Sequence, residues 1–367
     1  MTTSDGPSGS PFLVSPIFEK VYSKLFRPSL KDIAVSADVV SPSYRFVHPS
    51  AVFDEKELDS ITATASTSSI VEQLRIARGQ AVQHEASVSY VVENALYCDG
   101  VFYARRYRLN IKTSADGWLT YGRAPLLPGG VLAHCWLGAK YFGHSLHEEA
   151  AMAVLGQQRG ELVGMKRKLT RQQNDYLDLF DVKINVLPER ARLARLEILS
   201  DHSYSQSKVQ RWMHMRQLFS KAANVPRHAG VFLARGTTGQ MRVLVNEDEV
   251  ANFFIGLGFK VINPGDAELP EIMAAVAGAR IVVGVEGSQL VHGFFGVQDN
   301  GGFLVIQPPD RFDNAYKERC DLLGIKYSFT IASPVNGGFK VELSQLQRAL
   351  QRLDNAMAAV RNDDKAP

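Results

Sequence analysis

The chain has 367 residues, of which 45% are hydrophobic and 22% are charged. This length suits two domains of ordinary size, and the composition is that of a globular protein with a sizeable buried core. The formal net charge is only +3, which is too small to indicate nucleic acid as the main partner.

Cysteine usage and the N-terminal segment predict the compartment. Cys98, Cys135 and Cys320 are far apart and odd in number, so neither a disulfide framework nor a zinc site is expected. Residues 1–11 lack the basic and apolar regions of a secretory signal, and no apolar stretch reaches about 18 residues. We therefore expect a cytoplasmic protein with at most peripheral contact with the inner face of the membrane.

The first half gives strand and helix signals only beyond its first 85 residues. Residues 1–11 should form a flexible tail, and 12–83 predict no clear order of elements. Alternation and short apolar runs predict strands at 86–97, 100–111, 160–165 and 182–187. Helical spacing predicts helices at 171–180 and 205–223. The second of these helices carries four basic residues that we expect mostly on a solvated face: Lys208, Arg211, Arg216 and Lys221.

The second half alternates strands and helices at a regular pitch. Strands are predicted at 230–235, 259–263, 280–285, 302–308 and 326–330. Helices are predicted at 246–257, 269–279, 288–295, 314–324 and 343–360. Asn246 and Glu249 have the spacing of a capping box, and 280–285 lacks polar alternation, which is typical of a strand buried on both faces. The order predicts a parallel, Rossmann-like sheet in an α/β protein.

These elements predict a domain division. Residues 12–224 are expected to form an N-terminal α/β domain, and 225–335 a C-terminal Rossmann-like domain. Residues 336–367 are expected to form a closing amphipathic helix and tail. The Pro and Gly residues of 223–230 indicate the linker between the two domains.

Three polar groups follow predicted parallel strands, where ligands of open α/β sheets bind. Arg235 follows the first strand and Gln307 follows the fourth. The loop between them in chain order is the most informative, because glycines allow close backbone approach and a following helix start favours phosphate. Its residues are Gly284, Val285, Glu286, Gly287, Ser288 and Gln289. The alternative is a tight turn that lets strand and helix pack.

The ordered series of motifs from 231 to 329 resembles glycosyltransferase family 61, of the bacterial capsular and surface-polysaccharide type. The matching positions are Arg235, Arg242, Asn246, Glu247, Glu249, Gly258, Phe259, Gly284, Gly287 and Leu290. Upstream, YFGHSLHEEA is similar to the family's segment in the first domain and places His144 and Glu148 on its His and Glu.

The resemblance implies a GT-B-like fold, in which two Rossmann-like domains face each other across a cleft. It makes 12–224 the acceptor-side domain and 225–335 the nucleotide-sugar-binding domain. It implies an inverting glycosyltransferase that moves a sugar from a nucleotide-sugar donor, most simply a UDP-sugar. The acceptor would be a surface polysaccharide or a lipid-linked glycan. Cationic side chains rather than a bound metal would stabilise the leaving diphosphate, so no metal and no further cofactor are expected. A homo-oligomer is left open.

The resemblance places the donor beside Arg235, Arg242, Asn246, Glu247 and the loop from Gly284 to Gln289. The two arginines are candidates for a diphosphate clamp, with surface ion pairs as the alternative. Glu247 is a candidate for the ribose hydroxyls, although a first-turn Glu also suits the helix dipole. Glu286 stands where the family has His, and is expected to contact sugar or ribose.

His144 and Glu148 are the candidates for the base that deprotonates the acceptor hydroxyl. Their i, i+4 spacing places them on one face if the segment is helical. Glu148 is the first choice, because a carboxylate with a raised pKa accepts a proton readily. A solvated helix start is the alternative. A metal site is a weaker hypothesis than either of these, since His144 and His147 lack a matched third ligand.

The chain also departs from the family pattern. Ser288 and Gln289 replace Ala-Gly, Ser145 replaces an aromatic residue, and Ala150-Ala151 replace Pro-Arg. These changes motivate a second hypothesis, a non-catalytic nucleotide- or sugar-binding protein of the same fold. A dinucleotide-dependent Rossmann enzyme is a third, disfavoured because no GxGxxG follows the first strand of the sheet.

Overall fold

The computed structural model describes residues 28–65, 68–111, 124–236 and 242–363, with side chains to 359. Within these residues the chain is a mixed α/β protein with two large sheets. The predicted tail at 1–11 lies outside them. None of the helices in the described part of the chain is long and apolar enough to cross a membrane.

The described residues of the first half contain ten strands. They are β1 (Ser36–Ser41), β2 (Tyr44–Val47), β3 (Ala81–His84), β4 (Ser87–Cys98), β5 (Val101–Ala104), β6 (Tyr107–Asn110), β7 (Leu126–Leu132), β8 (Leu162–Gly164), β9 (Ile184–Val186) and β10 (Arg190–Ser200). Eight of them form one mixed sheet in the order β6-β5-β4-β10-β7-β8-β9, with β1 also paired to β4, and β2 and β3 pair separately. Strands β10, β7, β8 and β9 are mutually parallel.

The helices of this half are mostly short. They are α1 (Leu30–Ile33), a 3₁₀ helix (Glu55–Ser60), α2 (Ile70–Arg78), α3 (Trp136–Lys140), α4 (Phe142–His144), a π-helical segment (Ser145–Ala150), α5 (Ala151–Gln157), α6 (Arg171–Leu179) and α7 (Gln206–Ala223). Helix α4 continues through the π-helical segment into α5. Such π-helical turns often occur at functional sites, and this one contains Glu148.

Two predictions for the first half are wrong. The single strand expected at 100–111 is a hairpin, because Arg105 and Arg106 both have positive φ, at 43° and 76°, as a type I′ turn requires. The basic face of α7 is not solvated as a whole. Lys208 is fully buried, and Arg211 and Arg216 are buried as well, because each meets a carboxylate or backbone carbonyl groups from another element.

The second half has the predicted parallel sheet. Its strands are β11 (His228–Leu233), β12 (Lys260–Ile262), β13 (Ala279–Val285), β14 (Val297–Gln307) and β15 (Lys326–Ile331). A small hairpin follows, formed by β16 (Ser333–Val335) and β17 (Gly338–Lys340). The order is β12-β11-β13-β14-β15, and every pair is parallel. The chain leaves β11 to one side and returns to β13 on the other. The crevice between β11 and β13 is therefore the topological switch point.

Five helices accompany this sheet: α8 (Glu247–Gly256), α9 (Leu269–Val276), α10 (Leu290–Gly296), α11 (Lys317–Leu322) and α12 (Leu343–Asp363). The predicted amphipathic face of the closing helix α12 is confirmed, since Leu346, Leu350, Leu353 and Met357 are buried against the sheet. Helix α8 begins where expected, but the capping box is wrong. The side chain of Asn246 makes no cap hydrogen bond, and its Nδ2 donates to Glu249 Oε2 (2.9 Å) and to the carbonyl of Val341 (2.9 Å).

One hydrophobic core joins the two sheets. Helix α7 from the first half packs on α9 and α10 from the second, and the rings of Trp212 and Phe294 meet at right angles with centroids 5.5 Å apart. The hydroxyl of Tyr176 lies 2.8 Å from Nδ1 of His292. Burial of large apolar side chains on both partners stabilises this junction by the hydrophobic effect, and it fixes the two sheets relative to each other.

The early part of the chain also reaches the second sheet. Val52 forms a parallel bridge with Ser328, and Thr64 forms one with Phe312. The carboxylate of Glu57 accepts hydrogen bonds from Thr330 Oγ1 and from the backbone N–H of Ile331, both at 2.8 Å. Residues 52–64 thus lie along edge strand β15 and bring threonines close to the carboxyl edge of the sheet.

Candidate functional site

The candidate site lies at the carboxyl edge of the second sheet, where the first half approaches it. Gly143, at the start of the helical segment that carries His144, is buried against the loop after β13. A Cβ at Gly143 would lie 3.3 Å from the hydroxyl of Tyr316 and 3.5 Å from Cα of Ser288. This close approach places the segment that carries His144 and Glu148 beside the loop from Gly284 to Gln289.

Two arginines pack over the loop after β13. Nη1 of Arg235 donates to Oε1 of Gln289 (2.7 Å) and to the carbonyl of Glu286 (3.4 Å). Nη1 of Arg242 donates to the same carbonyl at 3.0 Å. Arg235 follows β11 and the loop follows β13, so both flank the switch point of the sheet. The expectation that these residues come together is confirmed.

Gly287 makes this packing possible. Its φ is +152°, a conformation that favours glycine. A Cβ there would collide with the guanidinium of Arg235 and lie 2.8 Å from Nη1 of Arg242. A side chain at this position would have to displace both guanidinium groups, so glycine lets them stay packed over the loop.

Glu286 is the anion of this cluster. Its Oε2 lies 3.1 Å from Nη1 of Arg242 and 3.7 Å from Nε of Arg311, and the residue is buried. Burial raises the pKa of Glu286 to about 7, although Arg242 opposes the rise and Asp313 adds to it. The side chain therefore changes charge near neutral pH, as groups at functional sites often do.

A cavity of about 360 Å³ opens beside this cluster. Its size is at the lower end of the range of ligand pockets. Arg242 and Arg311 supply positive charge to its wall, and Thr62 and Thr64 supply hydroxyl groups. The remaining lining residues are Val243, Pro308, Pro309, Asp310, Pro334, Gly337, Gly338 and Phe339. A charged end beside an apolar wall fits a ligand with an anionic group and a flat organic group.

Glu247 shapes the turn after β11. Its carboxylate accepts the backbone N–H groups of Arg235 (2.8 Å) and Gly236 (3.1 Å). Both oxygens are thus engaged by the backbone, which the ribose interpretation did not predict. In dinucleotide-binding Rossmann folds the N–H groups of this first turn face the pyrophosphate. Here they face Glu247, which disfavours the dinucleotide hypothesis.

Glu148 lies in a second charged cluster that joins the two halves. Lys208 Nζ from α7 donates to Oε2 at 2.7 Å, and Arg319 Nη2 from α11 donates to Oε1 at 3.0 Å. Burial alone would raise the pKa of Glu148. The Lys208 ammonium, a hydrogen bond with His147 and the Arg319 guanidinium outweigh burial and hold this pKa well below its usual range. The raised pKa expected from the sequence is therefore wrong, because two buried cations neutralise the carboxylate.

His144 has the properties of a neutral base. Burial first, and then the charge of Arg319, lower its pKa to about 4, although Glu148 opposes this. Within the described residues, Nδ1 of His144 is buried and makes no hydrogen bond. The predicted proximity of His144 and Glu148 is confirmed, since donor atoms of the two residues and of His147 lie within 4.8 Å of one another. A neutral imidazole with a free nitrogen can accept a proton.

These three residues also have the spacing of a metal site. Their chemistry does not suit a cation, because both oxygens of Glu148 already bind Lys208 and Arg319. A divalent ion would lie next to two buried positive charges. The cluster is therefore a charge-paired group rather than a cation site.

Several members of the site were missed by the sequence analysis. Lys208 was expected in solvent, and Arg311, Asp313, Tyr316 and Arg319 were not singled out at all. The only local signal was the basic and acidic run DRFDNAYKER directly after Gln307 and its two prolines, which follows a strand of the parallel sheet.

The switch-point crevice, its cationic loop and the adjacent cavity lie where open α/β sheets generally bind ligands. Residues 142–304 match the family described as Glycosyltransferase 61. The match covers less than half of the chain, includes His144, Glu148, the arginines and the loop after β13, and ends before Arg311. A match to this family implies glycosyltransferase activity in general, with a sugar donor and a glycan acceptor. No curated protein matches the chain.

Proposed function

We propose that this protein is an inverting glycosyltransferase of GT-B arrangement that uses a nucleotide-sugar donor. The observation that carries the proposal is the pair of guanidinium groups, from Arg235 and Arg242, held over Gly287 at the switch point of a parallel sheet. The pair lies within the residues that match the family. Positive charge fixed at this place supports binding of a diphosphate without a metal.

In this proposal the diphosphate lies against Arg242, the member of the pair that lines the cavity, and against Arg311 in the same wall, while the nucleoside fills the cavity. Thr62 and Thr64 supply hydroxyl groups for ribose or base, and Phe339 and the prolines supply apolar wall. Both cations at present face the carboxylate of Glu286, so an incoming diphosphate competes with this internal anion. We propose a UDP-sugar as the donor.

The transfer itself requires one base. The acceptor hydroxyl oxygen attacks the anomeric carbon, and the bond from that carbon to the phosphate oxygen breaks with its electron pair leaving on the diphosphate. The hydroxyl proton passes to the imidazole of His144. We assign this role to His144 rather than Glu148, because Glu148 is held as a carboxylate by two cations. The negative charge of Glu148 offsets part of the effect that burial and Arg319 have on the charged form of His144.

The remaining parts of the proposal follow from the family's general chemistry. The acceptor is a surface polysaccharide or a lipid-linked glycan, reached from the side of the first sheet. The protein works in the cytoplasm, with at most peripheral contact with the membrane. Neither a metal nor a further cofactor takes part.

A thermal-shift screen of UDP-, GDP-, CMP- and dTDP-linked sugars tests the proposal. A ligand that binds only the folded state raises the melting temperature by mass action, and we expect one nucleotide class, uridine, to do so. Release of free nucleotide from that donor in the presence of acceptor then tests transfer. If none of the four classes binds at millimolar concentration, the proposal fails.

Because both oxygens of Glu148 are bound by cations, a second candidate is a non-catalytic nucleotide-binding protein of the same fold. The two candidates differ in one outcome. A binding protein takes up the donor and releases no nucleotide, and substitution of His144 changes nothing that can be measured. The transferase releases nucleotide, and this release depends on His144.

A further inference from the structure

An exposed aromatic ring, that of Trp136, and a half-buried one, that of Tyr141, lie near the proposed base. Trp136 is 43% exposed and begins helix α3, which follows β7 at the carboxyl end of the first sheet. The ammonium of Lys140 lies 4.7 Å from the centre of the Trp136 ring and 5.0 Å from that of Tyr141. The two rings therefore share one cation and form a continuous aromatic and basic surface.

This surface is rigidly attached to the site. The backbone N–H of Cys135 donates to Oε2 of Glu149 at 3.1 Å. Gly138 packs directly on the Glu149 side chain, where a Cβ would lie 2.6 Å from it. Arg167 forms an ion pair with the same carboxylate. Helix α3 is thus fixed to the residue that follows Glu148 in the chain, and its rings keep one position relative to the site.

The aromatic surface leads into the proposed base. The rings of Tyr141 and His144 are 5.8 Å apart, and those of His144 and His147 are 4.9 Å apart. A molecule lying on Trp136 and Tyr141 therefore has one end at His144.

Further positive charge lies at the same edge of the sheet. Strands β7 and β8 are parallel, so the loop after β8 leaves the sheet at the edge where α3 begins. This loop carries Lys166 and Lys168, which are exposed like Lys140. Within the described residues, none of the three lysines forms an ion pair with a carboxylate. The edge is thus cationic and available to an anionic ligand.

We propose that Trp136, Lys140 and Tyr141 form the acceptor subsite and that this subsite takes a glycan with acidic sugar residues. The C–H face of a pyranose ring is apolar and packs on an aromatic face, while Lys140, Lys166 and Lys168 bind the carboxylates of successive sugars. This inference rests on the proposed function for the role of the bound glycan as acceptor, but the binding itself does not depend on it.

Titration with hexagalacturonate, followed by calorimetry and by tryptophan fluorescence, tests the subsite. Its methyl ester has the same backbone without charge and is the matched neutral probe. We expect the acid to bind at least about ten-fold more tightly than the ester, with a difference that shrinks as salt rises. Equal affinity for the two probes, or no binding of the acid, overturns the proposal.

Two substitutions separate stacking from charge. Trp136→Ala should weaken hexagalacturonate binding at least about ten-fold, whereas Trp136→Phe should keep it within about three-fold. Lys140→Gln should weaken the binding of hexagalacturonate and leave the binding of its methyl ester unchanged. Ile255→Ala, at an exposed apolar residue on α8, is the control and should behave as wild type. A Trp136→Ala protein that binds the acid as wild type does overturns the proposal.

The proposed function and the glycan subsite can be refuted independently of each other. Trp136→Ala should still bind the nucleotide donor, because Trp136 does not line the nucleotide cavity. If no nucleotide binds but hexagalacturonate does and depends on Trp136, the transferase proposal falls and the glycan subsite stands. If nucleotide binds and hexagalacturonate does not, the subsite falls and the donor site stands.

Discussion

The ammonium of Lys208 lies 2.7 Å from Oε2 of Glu148, and both side chains are buried where the two halves of the protein meet. Arg319 completes the group from the second half, 3.0 Å from the other oxygen. The carboxylate is therefore an electrostatic link between helices α7 and α11. The two cations hold the pKa of Glu148 low, and they already occupy both of its oxygens, so neither oxygen is free to take a proton from a substrate.

Removal of Lys208 should destabilise the protein strongly. Lys208→Met leaves Glu148 with one cation fewer in a buried place, and breaking such pairs typically costs about 3–5 kcal/mol. Urea unfolding measures the loss. Lys183→Met, at an exposed lysine, is the control and should cost at most about 0.5 kcal/mol. A Lys208→Met protein as stable as this control would contradict the link.

The same group makes stability depend on acid. Because the folded-state pKa of Glu148 lies well below its usual range, its contribution is fully present above the unfolded-state pKa, about 4.3. It is lost as the pH falls from there through the folded-state value. The difference in unfolding free energy between wild type and Glu148→Gln should therefore shrink below about pH 4. A difference that does not change between pH 7 and pH 3 would refute this.

Gly287 should be essential for the cationic loop. Gly287→Ala places a Cβ against both guanidinium groups and strains the backbone at φ +152°, so we expect loss of nucleotide binding with the protein still folded. Gly256→Ala is a matched control, because nothing lies within 4 Å of a Cβ there. That change, at the last residue of α8, should leave binding intact and stabilise by up to about 1 kcal/mol. Normal affinity in Gly287→Ala would show that the loop does not contact the donor.

Nucleotide binding should take up protons near neutral pH. The pKa of Glu286 is raised to about 7, and a diphosphate placed beside it disfavours the charged carboxylate further, so the pKa rises on binding. At about pH 7.5 we expect uptake of roughly half a proton per site. Calorimetry in buffers of different ionisation enthalpy measures this number. Glu286→Gln should abolish the uptake, and an uptake that survives the substitution would exclude Glu286 as its source.

Substitution of His144 should affect the chemical step alone. Loss of a general base typically lowers kcat about 10²–10⁴-fold, so His144→Gln should retain donor affinity and lose turnover. Steady-state kinetics together with calorimetry separates the two effects. His202→Gln, at an exposed histidine, should turn over normally. A His144→Gln enzyme with unchanged kcat would remove His144 from the mechanism.

The second sheet could be predicted in detail because its strands are buried on both faces. Residues 280–285 read as an apolar run without alternation, and β13 covers them. The switch point then follows from strand order, which is why Arg235 and the loop at 284–289 could be expected together. Local pattern carries this information, since each parallel strand is followed by a helix of recognisable period.

The charged interior could not be predicted in the same way. Lys208 has the same local pattern as a solvated lysine of α7, and only the approach of Glu148 from another helix makes it a buried cation. Arg105 and Arg106 form a turn that glycine or asparagine usually makes, so residue type gave no signal there. The prediction of a raised pKa for Glu148 was wrong for the same reason. Burial was foreseen, but the two cations that oppose it come from distant parts of the sequence.

Calorimetric titration with UDP of wild type, Arg242→Gln and Arg280→Gln tests the central claim most directly. Arg280 pairs with Asp354 at the surface and is the matched arginine control. A charge-assisted hydrogen bond contributes about 1.5–3 kcal/mol, so Arg242→Gln should bind UDP about 10- to 150-fold more weakly, and Arg280→Gln should bind it like wild type. Equal affinity of all three proteins, or no binding of UDP by wild type, would contradict a diphosphate clamp at Arg242.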